Sequence, residues 1–202
     1  MDDWRDAVWA TVPPGAEPER FVERRALLLA HVRAGDRVLD LGCGDGAFAA
    51  ELVAAGADVT AVDVSAEAVR RARERAAGAQ VQLVPEGAAL PLGEDAFDVV
   101  WMGETLEHVA DVVGLLSEVR RVLRWGGTLL VTTPNLPRLG VAVEALRGRP
   151  LEERLDPRAD HLRFFTARTL AGVLRDAGFA EVEVRAGDGI PGARRTLTAH
   201  AR

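Results

Sequence analysis

"VLDLGCGDGAFAAEL", residues Val38–Leu52, passes from an apolar run through three glycines into helix-forming residues. A strand that breaks into a glycine-rich turn and restarts as a helix opens a βα unit, and its turn exposes backbone to a ligand. The flanking sequence keeps the same alternation. Upstream, the spacing predicts a helix from Glu19 to Val32 with an apolar stripe at Phe21, Ala26, Leu27, Leu28 and Ala30, closed by Gly35 as a C′ residue. "RVLDL" (37–41) reads as a buried strand, and a helix is expected over 47–55.

Downstream, "DVTAVDV" is a strand and Ser65 an N-cap for "AEAVRRARERAA". "VQLV" and "AFDVVWM" are two further strands. Asp111 caps a helix running to about Arg124, followed by the strand "GGTLLVTTP". After a less regular stretch, Asn135–Phe165, Thr166 opens a helix that Gly178 ends; "AEVEVR" and "RTLTAHA" are the last strands. Strands alternating with helices predict an α/β fold: a doubly wound seven-stranded sheet, mostly parallel, with helices on both faces. With no helix between the last two strands, the C-terminal hairpin is expected to be antiparallel. Ligands of such sheets bind beyond the carboxyl ends of the strands, which is where the glycines fall.

Composition bounds the partners. The chain of 202 residues has 31 acidic and 25 basic residues, all the bases being arginine, and a net charge of −6. That balance argues against general affinity for nucleic acid. No apolar run is long enough to span a bilayer, the acidic start "MDDWRDAVWATVPPG" predicts no signal peptide, and the lone Cys43 excludes an intramolecular disulfide. A cytoplasmic protein working on a small molecule, without membrane or nucleic-acid partners, is the expectation. Oligomeric state is not legible.

The residues around the glycines select the ligand. The spacing Gly42-x-Gly44-x-Gly46 brings the third glycine one residue early for a dinucleotide fingerprint, and nothing matches a P-loop. Asp40 and Asp45 flank the loop and would repel a pyrophosphate while attracting a cationic centre. Asp63 ends the second strand, where an acid takes ribose hydroxyls. A ribose joined to a cationic, amino-acid-like end describes S-adenosylmethionine.

Five stretches then show a resemblance: "VLDLGCGDG", "VTAVDVS", "ALPLGEDAFDVVWMGETLEHVAD", "VLRWGGTLLVTTPN" and "HLRFFTARTLAGVLRDAGF". In this order they resemble the class I S-adenosylmethionine-dependent methyltransferases, Rossmann-like enzymes, and within them the small-molecule group that includes the ubiquinone-biosynthesis O-methyltransferases. The resemblance implies S-adenosyl-L-methionine as cofactor and S-adenosyl-L-homocysteine as product. It implies that Asp40 and the Gly42, Cys43, Gly44 and Gly46 backbone embrace the methionine moiety. It gives Asp63 and the adjoining Val64 to the ribose, Glu86 and Gly87 to the adenine, and Gly103 to the cofactor's flank. Relatives more often carry Asp-Ala at the adenine pair, so Glu86 is a departure.

His108 follows the fourth strand on the catalytic side of the sheet, and its residue type suits a general base that takes a proton from a hydroxyl or amine of the acceptor, oxygen being the favoured atom. A loop-shaping role for His108 is the alternative. The resemblance also implies, as a less favoured alternative, a divalent cation held by Glu104, Glu107 and His108, an i, i+3, i+4 set that would share one face of a helical turn, although the same motif occurs in relatives with no metal. The expected division of the single domain 1–202 is an N-terminal lid and helix (1–35), a cofactor-binding core (36–133), a substrate-side insertion (134–165) and a C-terminal helix and strand hairpin (166–202). Trp4 and Trp9 belong to that lid, or else pack on a neighbouring subunit. The insertion mixes arginines with acids and reads as a solvated helix pair or as a lid for an anionic acceptor. A non-catalytic S-adenosylmethionine-binding module and a nicotinamide-dependent dehydrogenase are the competing functions.

Overall fold

The computed structural model describes residues 4–87, 89–136, 141–142, 145–148, 161–187 and 196–202. Its strands are β1 (Arg37–Leu41), β2 (Asp58–Asp63), β3 (Gln80–Leu83), β4 (Phe97–Gly103), β5 (Leu123–Pro134), β6 (Val182–Gly187) and β7 (Thr196–Ala201). They form one sheet in the order β3-β2-β1-β4-β5-β7-β6. β1 pairs in parallel with both β2 and β4, while β7 runs antiparallel between β5 and β6. The order reverses at β1, so the crevice beyond β1 and β4 is the topological switch point.

Helices α1 (Trp4–Thr11), α2 (Phe21–Leu29), α3 (Ala47–Ala54), α4 (Ala66–Arg75), α5 (Val112–Val122) and α6 (Ala167–Asp176) pack around the sheet. Strand alternation decides what each face receives. Leu39, Leu41, Val100 and Met102 point into a core shared with Leu116 of α5 and Leu170 of α6. Val38, Val99 and Trp101 point the other way, toward Leu28 of α2 and Phe48 and Leu52 of α3. By the same period of two, Asp40 and Gly103 stand on the α2–α3 side. Each fully buried leucine in these cores contributes about 1.5–3 kcal/mol, enough to hold a polar residue in line with them.

Caps match the sequence reading. Ser65 Oγ accepts from Ala68 N–H at 3.2 Å, Asp111 from Gly114 N–H at 2.8 Å, and Thr166 forms a reciprocal capping box with Thr169. Three expectations change. Gly35 is not a C′ residue: α2 stops at Leu29, and Gly35, at φ +86°, is the third residue of a turn closed by Asp36 N–H on Arg33 C=O at 3.1 Å. The helix expected to run to about Arg124 stops at Val122, and β5 starts at Leu123, ahead of the Gly126 at which the strand was expected to begin. Phe97 pairs with Leu123, the register then jumps to Val99 with Thr128, and the extra residues bulge out around Gly126 at φ +69°. Residues 1–19, whose weak periodicity predicts only a loose lead-in, contain an ordered helix, α1, which packs on α4. No described helix is long and apolar enough to cross a membrane.

Candidate active site

The Gly42–Gly46 loop is built by its own backbone. Gly42, Gly44 and Gly46 all take left-handed φ, at +78°, +54° and +82°. Gly42 and Cys43 donate their N–H groups to Val62 C=O at 2.9 and 3.0 Å, folding the loop over the end of β2. At Gly46 a side chain is excluded by packing as well: an added Cβ would sit 2.9 Å from Ala72 Cα, so the start of α3 lies directly on α4. Asp63 ties the two loops together, one carboxylate oxygen accepting from Gly44 N–H and the other from Ser65 N–H, each at 2.9 Å. Burial raises the pKa of Asp63, and these N–H groups oppose the shift.

Asp40 is 2% exposed, and its Oδ2 has no hydrogen-bond partner. Burial, with Asp63 nearby, pushes its carboxyl up to about 7, against the pull of Arg24. Cys43 is buried and free, and burial raises its thiol well above the ordinary value, so it is no nucleophile. Val64 adjoins Asp63 and packs on the core. Asp45 is spent on an ion pair with Arg75. On the far side of the crevice, Gly87 takes φ +68° and Glu86 pairs with Arg5 of α1 at 2.5 Å.

One candidate site residue was missed by the sequence reading. Arg24 of α2 is 5% exposed, its guanidinium 4.7 Å from the ring centroid of Phe48 and 5.9 Å from that of Trp101. It presses on Gly103, where an added Cβ would strike the guanidinium and the Trp101 ring. Burial lowers its pKa, while Glu104, Glu107 and Asp40 oppose the shift. The available signal was position: Arg24 lies three residues after Phe21 and four before Leu28, on the stripe that faces the core.

After β4 the chain turns sharply. Glu104 takes φ +56°, a strained value for a side-chain-bearing residue, and donates its N–H to Thr132 C=O at 2.9 Å. Thr105 Oγ1 donates to Leu41 C=O at 3.1 Å, and Leu106–His108 form a single 3₁₀ turn. Glu107 is 1% exposed, accepts from Thr133 Oγ1 at 2.8 Å, and is pushed up to about 8 by burial with Glu104 beside it. Because the turn begins only at Leu106, Glu104 does not share a face with Glu107 and His108. Among the described residues, the group whose ligand atoms lie within 4.8 Å of one another is Glu107, His108 and His161.

His161 arrives from the insertion. Leu162 and Arg163 donate their N–H groups to Glu107 C=O at 2.7 and 3.0 Å, which sets the His161 ring edge-on to His108 with centroids 4.8 Å apart. Of the insertion's charged residues, Arg138, Glu144, Arg149, Glu152, Glu153, Arg154, Asp156, Arg158 and Asp160 lie outside the described residues.

Around Arg24, four buried polar atoms have no protein partner: Arg24 Nε, Asp40 Oδ2, Glu104 Oε1 and Glu107 Oε1. Three carboxyl groups and one guanidinium at the carboxyl ends of β1 and β4 suit a ligand carrying both an ammonium and a carboxylate.

Residues 15–184 match the methyltransferase domain family. A ubiquinone biosynthesis O-methyltransferase of Xanthomonas oryzae pv. oryzae is 37% identical over 152 residues, 71% of this chain and 62% of that protein. The 27-O-demethylrifamycin SV methyltransferase of Amycolatopsis mediterranei is 41% identical over 116 residues, 54% of this chain and 42% of its own. The chain thus spans under two thirds of either relative. In fold it is similar to a Haloferax volcanii methyltransferase solved in complex with the Trm112 methyltransferase activator, with a TM-score of 0.74 at 24% identity, covering 100% of this chain and 97% of that one. A Haemonchus contortus phosphoethanolamine N-methyltransferase 2, solved with S-adenosyl-L-methionine, gives a TM-score of 0.74 at 17% identity over 98% of this chain and 56% of its own. The chain belongs to the methyltransferase domain family, as the resemblance carried by its five motifs implied.

Proposed function

We propose that the protein binds S-adenosyl-L-methionine and transfers its methyl group to an oxygen of a small-molecule acceptor. The observation that carries this reading is the set of unpartnered buried polar atoms around Arg24. Arg24 receives the ligand's carboxylate, and Asp40 with Glu104 receives its ammonium, which removes the cost of burying these groups unpaired. The left-handed glycines keep the Gly42–Gly46 backbone, Cys43 included, open to close approach along the methionine chain. A carboxylate has about four lone-pair sites, so Asp63 still accepts from ribose hydroxyls while holding Gly44 and Ser65. Val64 and the Gly87 backbone border the nucleoside, with Glu86 at its edge, and Gly103 lines the opposite wall.

When bound, S-adenosyl-L-methionine supplies a methyl group already activated by its sulfonium. The chain's own residues then position the acceptor, exclude water and take its proton. Glu107 is unsuited to that last task, being buried and protonated at neutral pH. His108 is half-buried and belongs to the residue type that titrates near neutrality, so it is the base. The segment from His161 to Phe165, pinned to Glu107 C=O, forms the acceptor's outer wall. Residues 4–35 cover the cofactor side, 36–133 form the core, and of the insertion 134–165 the described end, His161–Phe165, borders the acceptor side. We place the reaction in the cytoplasm, where Cys43 stays reduced, and give nucleic acid no part in it.

Two measurements test the reading. Calorimetry with S-adenosyl-L-methionine, S-adenosyl-L-homocysteine and NAD should show binding of the first two alone; binding of NAD alone would restore the dehydrogenase. Transfer of labelled methyl groups from the cofactor into a metabolite extract separates an enzyme from a binding module, which would bind the cofactor and label nothing.

A further inference from the structure

Helix α1 lies between the two loops that the proposed function gives to the cofactor. On one side it is anchored to α4. Asp6 accepts from Ser65 Oγ at 2.5 Å and Glu67 N–H at 3.1 Å, and just past the helix Arg71 donates to Val12 C=O at 2.7 Å and Arg75 to Ala16 C=O at 3.2 Å. In the middle, the Trp9 indole lies over Gly44, where an added Cβ would be 2.6 Å from the ring. On the other side, Arg5 pairs at 2.5 Å with Glu86 in the loop after β3, and the Arg5 charge also acts on Asp63.

The two attachments differ in strength. The anchor combines four hydrogen bonds that involve charged groups, whereas the Arg5–Glu86 ion pair joins side chains that are 20% and 48% exposed. Exposed pairs of that kind are weak and screened by salt, and their loss shifts an equilibrium only about two- to fivefold. A strong edge and a weak edge make a hinge and a catch.

We propose that α1 is a hinged strap over the nucleoside end of the cleft, latched by Arg5 and Glu86, and that the cofactor enters and leaves only while this latch is open. The inference rests on the cofactor reading of the cleft. It gives Glu86 a role of its own: its carboxylate holds the strap shut instead of reading the adenine. The latch re-forms over the bound ligand, so it governs rates more than affinity.

The test follows S-adenosyl-L-methionine binding by stopped-flow tryptophan fluorescence, with Trp9 against the loop as reporter. Arg5→Gln and Glu86→Gln should each raise the association and dissociation rates about two- to fivefold, and in Arg5→Gln the Kd should change less than about twofold. The reversed pair, Arg5→Glu with Glu86→Arg, should return both rates toward those of the unmodified protein. Hydrogen exchange on the ligand-free protein gives a second readout: both single variants should speed exchange in α1 and leave α4 unchanged. If Glu86→Gln weakens Kd tenfold while Arg5→Gln changes no rate, Glu86 is a direct ligand contact and the latch is wrong. Unchanged α1 exchange in both variants overturns it equally. Should the unmodified protein fail to bind S-adenosyl-L-methionine at all, the cofactor reading falls, and exchange alone still decides the latch.

Discussion

Asp63 holds the Gly44 N–H at 2.9 Å with one carboxylate oxygen while the other holds Ser65 N–H. The residue read from sequence as a ribose acceptor is therefore also the strut that fixes the glycine loop against α4. Removing it leaves two buried N–H groups, those of Gly44 and Ser65, without this partner. Asp63→Ala should cost about 1–3 kcal/mol in a denaturant titration and weaken cofactor binding at least tenfold. Asp63→Asn keeps one oxygen acceptor and should lose less stability than Asp63→Ala. Equal losses in the two variants would show that the strut carries no weight.

Gly46 makes a purely steric prediction. Gly46→Ala places a Cβ 2.9 Å from Ala72 Cα and forces alanine to φ +82°. The left-handed conformation costs about 1–2 kcal/mol, and the displacement of α4 adds to it. Thermal unfolding should show a loss of about 2–4 kcal/mol, whereas Gly87→Ala, with nothing within 4 Å of its added Cβ, should show only the conformational part.

The buried carboxyls set a pH dependence whose sign is fixed. Asp40 and Glu107 titrate at about 7 and about 8 in the folded protein, above their ordinary values. At these two sites the folded state binds more protons than the unfolded one, so their contribution to the stability of the ligand-free protein falls as pH rises from about 4 to about 8. Asp40→Asn and Glu107→Gln should remove part of this slope, and their advantage over the unmodified protein should grow with pH and level off near 8. Unfolding midpoints at pH 5, 6.5 and 8.5 check this; slopes identical in all three proteins would contradict it.

For His108, the account predicts a split between chemistry and binding. His108→Asn should lower kcat about a hundredfold while the Kd for S-adenosyl-L-methionine stays within about twofold. A variant that keeps full kcat would return His108 to a loop-shaping role.

Much of the fold was legible because its signals are local. Ser65, Asp111 and Thr166 cap helices where their side chains satisfy the first N–H groups, and the glycines of Gly42–Gly46 adopt conformations that other residues disfavour. The β-bulge at Gly126 was not legible, because a Gly-Gly pair that opens a strand and one that bulges within it read alike. Within the site, Asp40 and Asp63 were found from their places at strand ends. Arg24 was passed over because a charge in an apolar stripe acquires meaning only when the carboxyls from β1 and the β4 turn meet it in space. His161 stands 53 residues from His108, and only the two N–H bonds onto Glu107 C=O bring the rings together.

The central claim is that the unpartnered Asp40 Oδ2 and its neighbours around Arg24 await the amino-acid end of S-adenosyl-L-methionine. Calorimetric titration of that ligand into the unmodified protein and into Asp40→Asn at pH 8 tests it most directly. The account predicts one-to-one binding that weakens at least tenfold in Asp40→Asn, although that variant is the more stable when free. Equal affinity in both proteins, or no binding to the unmodified one, would contradict it.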